Sequence, residues 1–384
     1  MQFSVFITYG LYIVSGLATS SPVQKRDIID DLQSQAIAAL QNAIDNGLFK
    51  ESCSIFNAKV RKEWSTLSPE EKKSYTSAVN CLMALPSKLD SSIVPGAKSR
   101  YDDFVAQHIN QTLTIHGTGS FLSWHRYFVW SYETALRDEC GYTGYQPYWN
   151  WFSFQDDLTA SPVFDGSATS MSGDGSFVSH NGSVGGAGTI YLPSGNGGGC
   201  LKSGPFQNMV ANLGPISPTM AGQAKVNSSF AYNPRCLKRD LGTYTASTWL
   251  TTTNLLNLTL GNAASNIETF QNELQGRFPQ GFLGLHAAGH FSIGGDASDL
   301  FSSPVDPVFW LHHAMLDRIW WLWQALHLDQ ADTIAGTITL FNNPPSRNTT
   351  LDDTIYMGES NAPTRPIKDL LDSLGDSPFC YINL

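Results

Sequence analysis

Apolar residues recur at helical spacing soon after the start of the chain. Ile28, Leu32, Ala36, Leu40 and Ile44 form one stripe over 28–46, and Gly47 supplies a stop. Ser68-Pro69-Glu70-Glu71 has the form of a capping box with proline at the first helical position. It predicts a helix reaching Leu85, ahead of Pro86. Tyr101, Phe104, Val105 and His108 share a face over 101–109, and a further helical pattern covers 123–138. Between 165 and 222 the period lapses and Gly, Ser, Asn and Pro dominate, which predicts long loops with one short strand near Tyr191. Helical period returns over 266–274 and 285–290. The last helix is predicted to start at Asp306-Pro307, where the aspartate can accept from free N–H groups and the proline fits the first turn. No internal repeat and no linker between two cores interrupts this order. The pattern predicts one mainly α domain, with long irregular loops and few short strands.

Composition narrows the setting. Hydrophobic residues make up 42% of the 384, enough for a large core. The net charge of -10, with no basic run longer than two residues, argues against nucleic acid or an anionic membrane as partner. Residues 3–18 are apolar, too short to cross a bilayer, and end in small residues. They predict a signal peptide over 1–20, then a short propeptide over 21–26 ending in Lys25-Arg26, and a mature domain over 27–384. No other apolar stretch is long enough for a membrane span, so the expected localisation is extracellular. Cys53, Cys81, Cys140, Cys200, Cys236 and Cys380 form no CxxC pair; in a secreted chain they predict disulfides, with Cys200 and Cys236 paired by proximity. Sequons at Asn110, Asn181, Asn227, Asn257 and Asn348 are glycosylation candidates.

The candidate chemistry lies in the histidines. Two groups stand out of nine: His108, His116 and His125, then His286, His290 and the neighbours His312 and His313. A spacing of four puts His286 and His290 on one helix face, about one turn apart. His312 and His313 diverge by about 100° on a helix, so one of them is the better third ligand. Three neutral nitrogens per ion suit copper, zinc, nickel or iron, and the lack of carboxylates argues against calcium and magnesium. The stretch His286-Ala287-Ala288-Gly289-His290 lacks the glutamate that a HExxH zinc hydrolase uses as base. Lone histidines are more often structural than ligating, and His180 and His327 are assigned no role.

The sequence His116-Gly-Thr-Gly-Ser-Phe-Leu-Ser-Trp-His125-Arg126-Tyr127-Phe128 resembles the first copper motif of the tyrosinase and polyphenol oxidase family. Asp306-Pro-Val-Phe309-Trp-Leu-His312-His313-Ala-Met-Leu-Asp317-Arg318-Ile-Trp320 resembles the second, and His286-x3-His290 stands where two further ligands are expected. The resemblance covers about residues 101–325 and extends more loosely to Cys380-Tyr381. It implies a four-helix bundle core around a dinuclear type-3 copper centre. One copper would take His108, His116 and His125; the other would take His286, His290 and His313. Phe309 is expected to pack on the ligands, and Asp306, Asp317 and Arg318 to hold helix ends and the hydrogen bonds behind the ligands. Ala287 and Phe291 are expected at the substrate pocket, with the gate sought over 291–300.

The implied activity is oxidation of catechols, or o-aminophenols, to quinones with dioxygen. Alternatives are a monophenol-hydroxylating tyrosinase and a hemocyanin-like oxygen carrier. Three departures from the family pattern shape the expectation. Thr114 replaces a cysteine that many fungal members link to the loop histidine. Ala287 and Gln275 stand where monophenol hydroxylases carry Asn and Glu, a pair that orients a phenol-deprotonating water. The sequence ends soon after Cys380, so the shielding C-terminal domain of longer members is expected to be missing. Diphenol oxidation is therefore expected to dominate.

Overall fold

The computed structural model describes residues 28–48, 52–358, 361–375 and 377–384; the expected signal peptide and propeptide lie outside them. Nine α-helices occur among the described residues: α1 (Ile28–Asp45), α2 (Pro69–Ala84), α3 (Arg100–Ile115), α4 (Phe121–Cys140), α5 (Thr243–Trp249), α6 (Thr252–Thr259), α7 (Ile267–Gln275), α8 (Gly284–Ile293) and α9 (Val308–Leu326). Helix α9 is the hub, with every residue but Leu326 buried. A helix apolar all round can only sit inside others, and α9 packs against α1, α4, α6 and α8.

Local chemistry sets the helix ends. At α2 the Ser68 hydroxyl accepts from Glu71 N–H at 3.2 Å while the Glu71 carboxylate accepts from Ser68 N–H at 2.7 Å. Ser99 and Asp102 repeat the arrangement at α3. Helix α4 stops at Gly141, whose φ of +67° costs a glycine little. At α9, Asp306 Oδ1 accepts from Val308 N–H at 2.9 Å, as its place before the first turn predicts.

The structure is mainly helical with small sheets, in agreement with the expected class. Helix α3 runs to Ile115 rather than ending near Ile109, because nothing breaks it before Gly117 and the buried stripe continues through Thr112 and Ile115. The loop-rich stretch holds more pairing than the single expected strand. Gly175–Phe177 pairs with Gly198–Leu201, Ser183–Gly185 with Ile190–Leu192, and Val210–Ala211 with Arg235–Cys236, all antiparallel. Pieces of two to four residues, several of them glycine, show no alternation that a sequence reading can detect. α5 and α6, at seven and eight residues, are equally short and were not expected.

All six cysteines pair: Cys53 with Cys380, Cys81 with Cys140, and Cys200 with Cys236 as expected. No described helix is long and apolar enough to cross a membrane.

Candidate metal centre

Four helices bring the histidines together. α3 carries His108 and ends on His116, α4 carries His125, α8 carries His286 and His290, and α9 carries His312 and His313. Among the described residues the rings form two groups, His108/His116/His125 and His286/His290/His312/His313, and within each group the nitrogens lie within 4.8 Å of one another.

The extra turns of α3 explain how His116 is aimed. Thr112 sits one turn before it, and the Thr112 carbonyl accepts from His116 Nδ1 at 2.9 Å. His108 Nδ1 donates to the Phe301 carbonyl at 2.7 Å, His125 Nδ1 to the Phe121 carbonyl at 2.8 Å, and His290 Nδ1 to the Ala297 carbonyl at 2.9 Å. A carbonyl can only accept, so the proton of each neutral ring sits on Nδ1 and the Nε2 lone pair is free. The Nε2 atoms of His108, His125 and His286 are buried without a hydrogen-bond partner. His290 Nε2 and His313 Nε2 face each other at 3.1 Å. Burial without a partner costs about 1–3 kcal/mol per group, and a shared cation removes that cost.

Electrostatics favour the neutral rings. Burial depresses the pKa of all seven, to about 4 for His116 and about 3 for His290, and neighbouring imidazoles press most of the others further down. Neutral imidazole with a directed lone pair is the form that ligates a metal, so both groups fit a metal site.

His312 differs from its neighbours. Its Nε2 donates to the His286 carbonyl at 3.0 Å, and its ring lies 5.0 Å from that of Trp151. It presses on α8 at Gly289, where a Cβ would fall 2.1 Å from the His312 ring. The glycine between His286 and His290 is what admits this approach, and a glycine inside a helical pattern is the signal that could have pointed to it.

Phe309 is fully buried, its ring 4.1 Å from His313, 5.4 Å from His108 and 5.8 Å from His290. Asp306 forms a buried two-point ion pair with Arg239, both bonds at 2.7 Å; sequence reasoning missed Arg239. Asp317 accepts from Arg61, Arg126 and Tyr381, in mid-helix rather than at a helix end. Arg318 departs from the expectation: its guanidinium donates to Gln33 of α1 and lies over Tyr148, so it docks the N-terminal helix and touches no histidine. His180 pairs with Asp240, and His327 bonds the Trp323 carbonyl; both lie outside the two groups.

A cavity of about 750 Å³ opens onto His116, His286 and His290. Ala287 and Phe291 line it, with Ala297–Leu300 beyond them. Gln275 also lines it, but its Oε1 accepts from Gly117 N–H at 2.7 Å. The remaining walls are the 184–188 turn, the 217–223 loop, Phe278, and Leu340 with Phe341.

Comparison with known proteins gives a consistent picture. Residues 98–326 match the common central domain of tyrosinase. Tyrosinase P of Aspergillus terreus is 42% identical over 332 residues, 84% of this chain and 91% of that protein. The N-acetyl-6-hydroxytryptophan oxidase of Emericella nidulans is 40% identical over 366 residues, 90% of this chain and 98% of that one. A solved polyphenol oxidase from Thermothelomyces thermophila superposes with a TM-score of 0.85 at 39% identity, covering 92% of this chain and 97% of its own.

Proposed function

Because the chain belongs to the tyrosinase family, we propose that it is a secreted type-3 copper oxidase that converts o-diphenols to o-quinones with dioxygen. One copper is held by His108, His116 and His125, the other by His286, His290 and His313. The orphaned, converging Nε2 atoms support this assignment. His312 is left out because its Nε2 is spent on the His286 carbonyl and its Nδ1 lies against Gly289 of α8. When bound, the copper pair supplies the two-electron redox chemistry that couples diphenol to dioxygen.

The chain's own residues decide which phenol reacts. A substrate entering the cavity meets His290 and His286 between Ala287 and Phe291. A monophenol with a pKa near ~10 must lose its proton to a base. The nearby oxygens are poorly placed to serve. Gln275 is neutral and its Oε1 already accepts from Gly117. Asp299, the cavity's carboxylate, accepts from the N–H groups of Ile216, Ser217, Phe301 and Ser302. Among the described residues lining the cavity no carboxylate stands free beside the histidines, and this observation carries the diphenol reading. The name of the Aspergillus relative favours a second reading, a tyrosinase that also hydroxylates monophenols.

Oxygen uptake by the copper-loaded protein separates the two, with 4-tert-butylcatechol given first and 4-tert-butylphenol second. Uptake with the catechol alone is expected. Comparable uptake with both would make the enzyme a tyrosinase, and uptake with neither would end the oxidase reading.

Secretion is supported by three disulfides, which persist in oxidising compartments. Asn110, Asn181, Asn227 and Asn348 are exposed and open to a glycan. Asn257 is partly buried and donates to Glu273, so it is the poorest acceptor of the five. N-terminal sequencing of the secreted chain is expected to read from Asp27.

A further inference from the structure

The cavity wall carries little charge. Among the described residues lining it there is no lysine, arginine or glutamate, and Asp299 is the single acid. Four backbone N–H groups already hold that carboxylate, at 2.6 to 2.9 Å. A carboxylate on the far end of a substrate docked at the histidines would lose its hydration against this wall and find no lysine or arginine there; the one formal charge among the lining side chains, Asp299, is of its own sign. No cationic side chain on this wall compensates that loss.

The space is also larger than one ring needs. About 750 Å³ falls in the range of pockets that enclose drug-sized ligands. One wall is Phe341, presented by unusual backbone: φ is +48° at Phe341 and +55° at Asn342. Bulky side chains rarely adopt this region, so the loop carries some strain to hold it. Local bonds hold it in place. Phe341 N–H donates to the Gly117 carbonyl at 3.0 Å, and the Asn342 side-chain oxygen accepts from Ser346 N–H at 2.8 Å. The ring faces Gly117, where a Cβ would fall 2.8 Å from it, and meets Phe278 edge-on at 6.1 Å. A loop that only had to turn would do so more cheaply with glycine; this one sets an aromatic face, 57% of Phe341 being exposed, at the cavity mouth.

We propose that this site selects uncharged, extended o-diphenols, with a second ring or bulky apolar substituent seated against Phe341 and Phe278, over carboxylate-bearing ones. The inference rests on the diphenol oxidase reading and names its substrate class.

The test compares 3,4-dihydroxyphenylacetic acid with its methyl ester, and catechol with 4-phenylcatechol, on the copper-loaded protein. At pH 7 the ester should exceed the acid at least ~10-fold in kcat/KM, with the difference in KM, as expected for an uncompensated charge. 4-Phenylcatechol should have the lower KM of its pair, and Phe341→Ala should remove most of that advantage. Leu300→Arg places a cation on a partly exposed part of the wall and should shift the acid-to-ester ratio towards the acid. Calorimetric binding of 3-phenylpropionate and its methyl ester, which have no phenol to oxidise, reads the same wall without turnover. Equal or tighter binding of the acid overturns the proposal. If no diphenol is oxidised but the ester still binds tighter, the selectivity stands and the oxidase reading falls.

Discussion

His312 and His313 are adjacent, equally buried and chemically identical, yet they do different work. His313 turns Nε2 towards His290 at 3.1 Å, whereas His312 gives its Nε2 to the His286 carbonyl and packs on Gly289. His313→Ala should therefore cut bound copper to about half and abolish oxidation. His312→Ala should keep most of the copper but lower stability by about 2–4 kcal/mol, from the cavity and the lost hydrogen bond to the His286 carbonyl. Metal analysis with denaturant unfolding separates the two; equal copper loss in both would void the assignment. A second prediction concerns the missing base. Gln275→Glu keeps an oxygen for the Gly117 N–H and adds a carboxylate to the cavity. The ratio of monophenol to catechol uptake should rise about tenfold, short of the roughly 100-fold or more of a fully free general base, because Gly117 N–H still engages one carboxylate oxygen. An unchanged ratio would show that phenol deprotonation does not limit the enzyme. Much of this site was legible residue by residue, because imidazoles at helical spacing keep their identity in the sequence. The supporting carbonyls of Thr112, Ala297 and Phe301 were not, since a backbone acceptor leaves no mark on residue type.

Helices with a long apolar face were legible as well: α1, α2, α4 and α9 fall close to their expected bounds. The segment between α4 and α5 was not, because its strands are too short to alternate and are held by side chains far along the chain. Arg239 shows how. It donates to the carbonyls of Met171, Ser172 and Gly173 and pairs with Asp306, so one guanidinium ties the loop-rich segment to the start of α9. Both partners are fully buried. Asp306→Ala would leave Arg239 buried and unpaired, a loss of about 3–5 kcal/mol. It would also free the Val308 N–H at the head of the helix that carries both His312 and His313. The expected result is a lower unfolding midpoint together with weaker copper retention during dialysis against a chelator. Copper retention like that of wild type would mean that α9 is positioned from its C-terminal half alone.

The middle of α9 is tied to two strands that are far apart in the sequence. Lys59–Arg61 and Tyr381–Asn383 form a parallel pair, and Cys53 is bonded to Cys380 across 327 residues of sequence. Arg61 donates to Glu133 on α4 and Asp317 on α9, Arg126 donates to Asp317, and Tyr381 donates its hydroxyl to Asp317 at 2.6 Å. Asp317 lies one turn beyond His313, and Glu133 two turns beyond His125, so this buried cluster spaces the two helices that serve different histidine groups. The disulfide and the cluster should then separate in experiment. Replacing Cys53 and Cys380 together by Ala frees the unfolded chain, with a stability loss of up to about 5 kcal/mol. Activity per bound copper should not change, because the native contacts around Asp317 persist. Tyr381→Phe removes one hydrogen bond to a buried carboxylate, a loss of about 1.5–3 kcal/mol. Combined with Asp317→Asn it should fall short of additivity, since both changes act on one cluster. Additive losses, or lower activity per copper in the cysteine variant, would place the spacing of α4 and α9 in the covalent link instead.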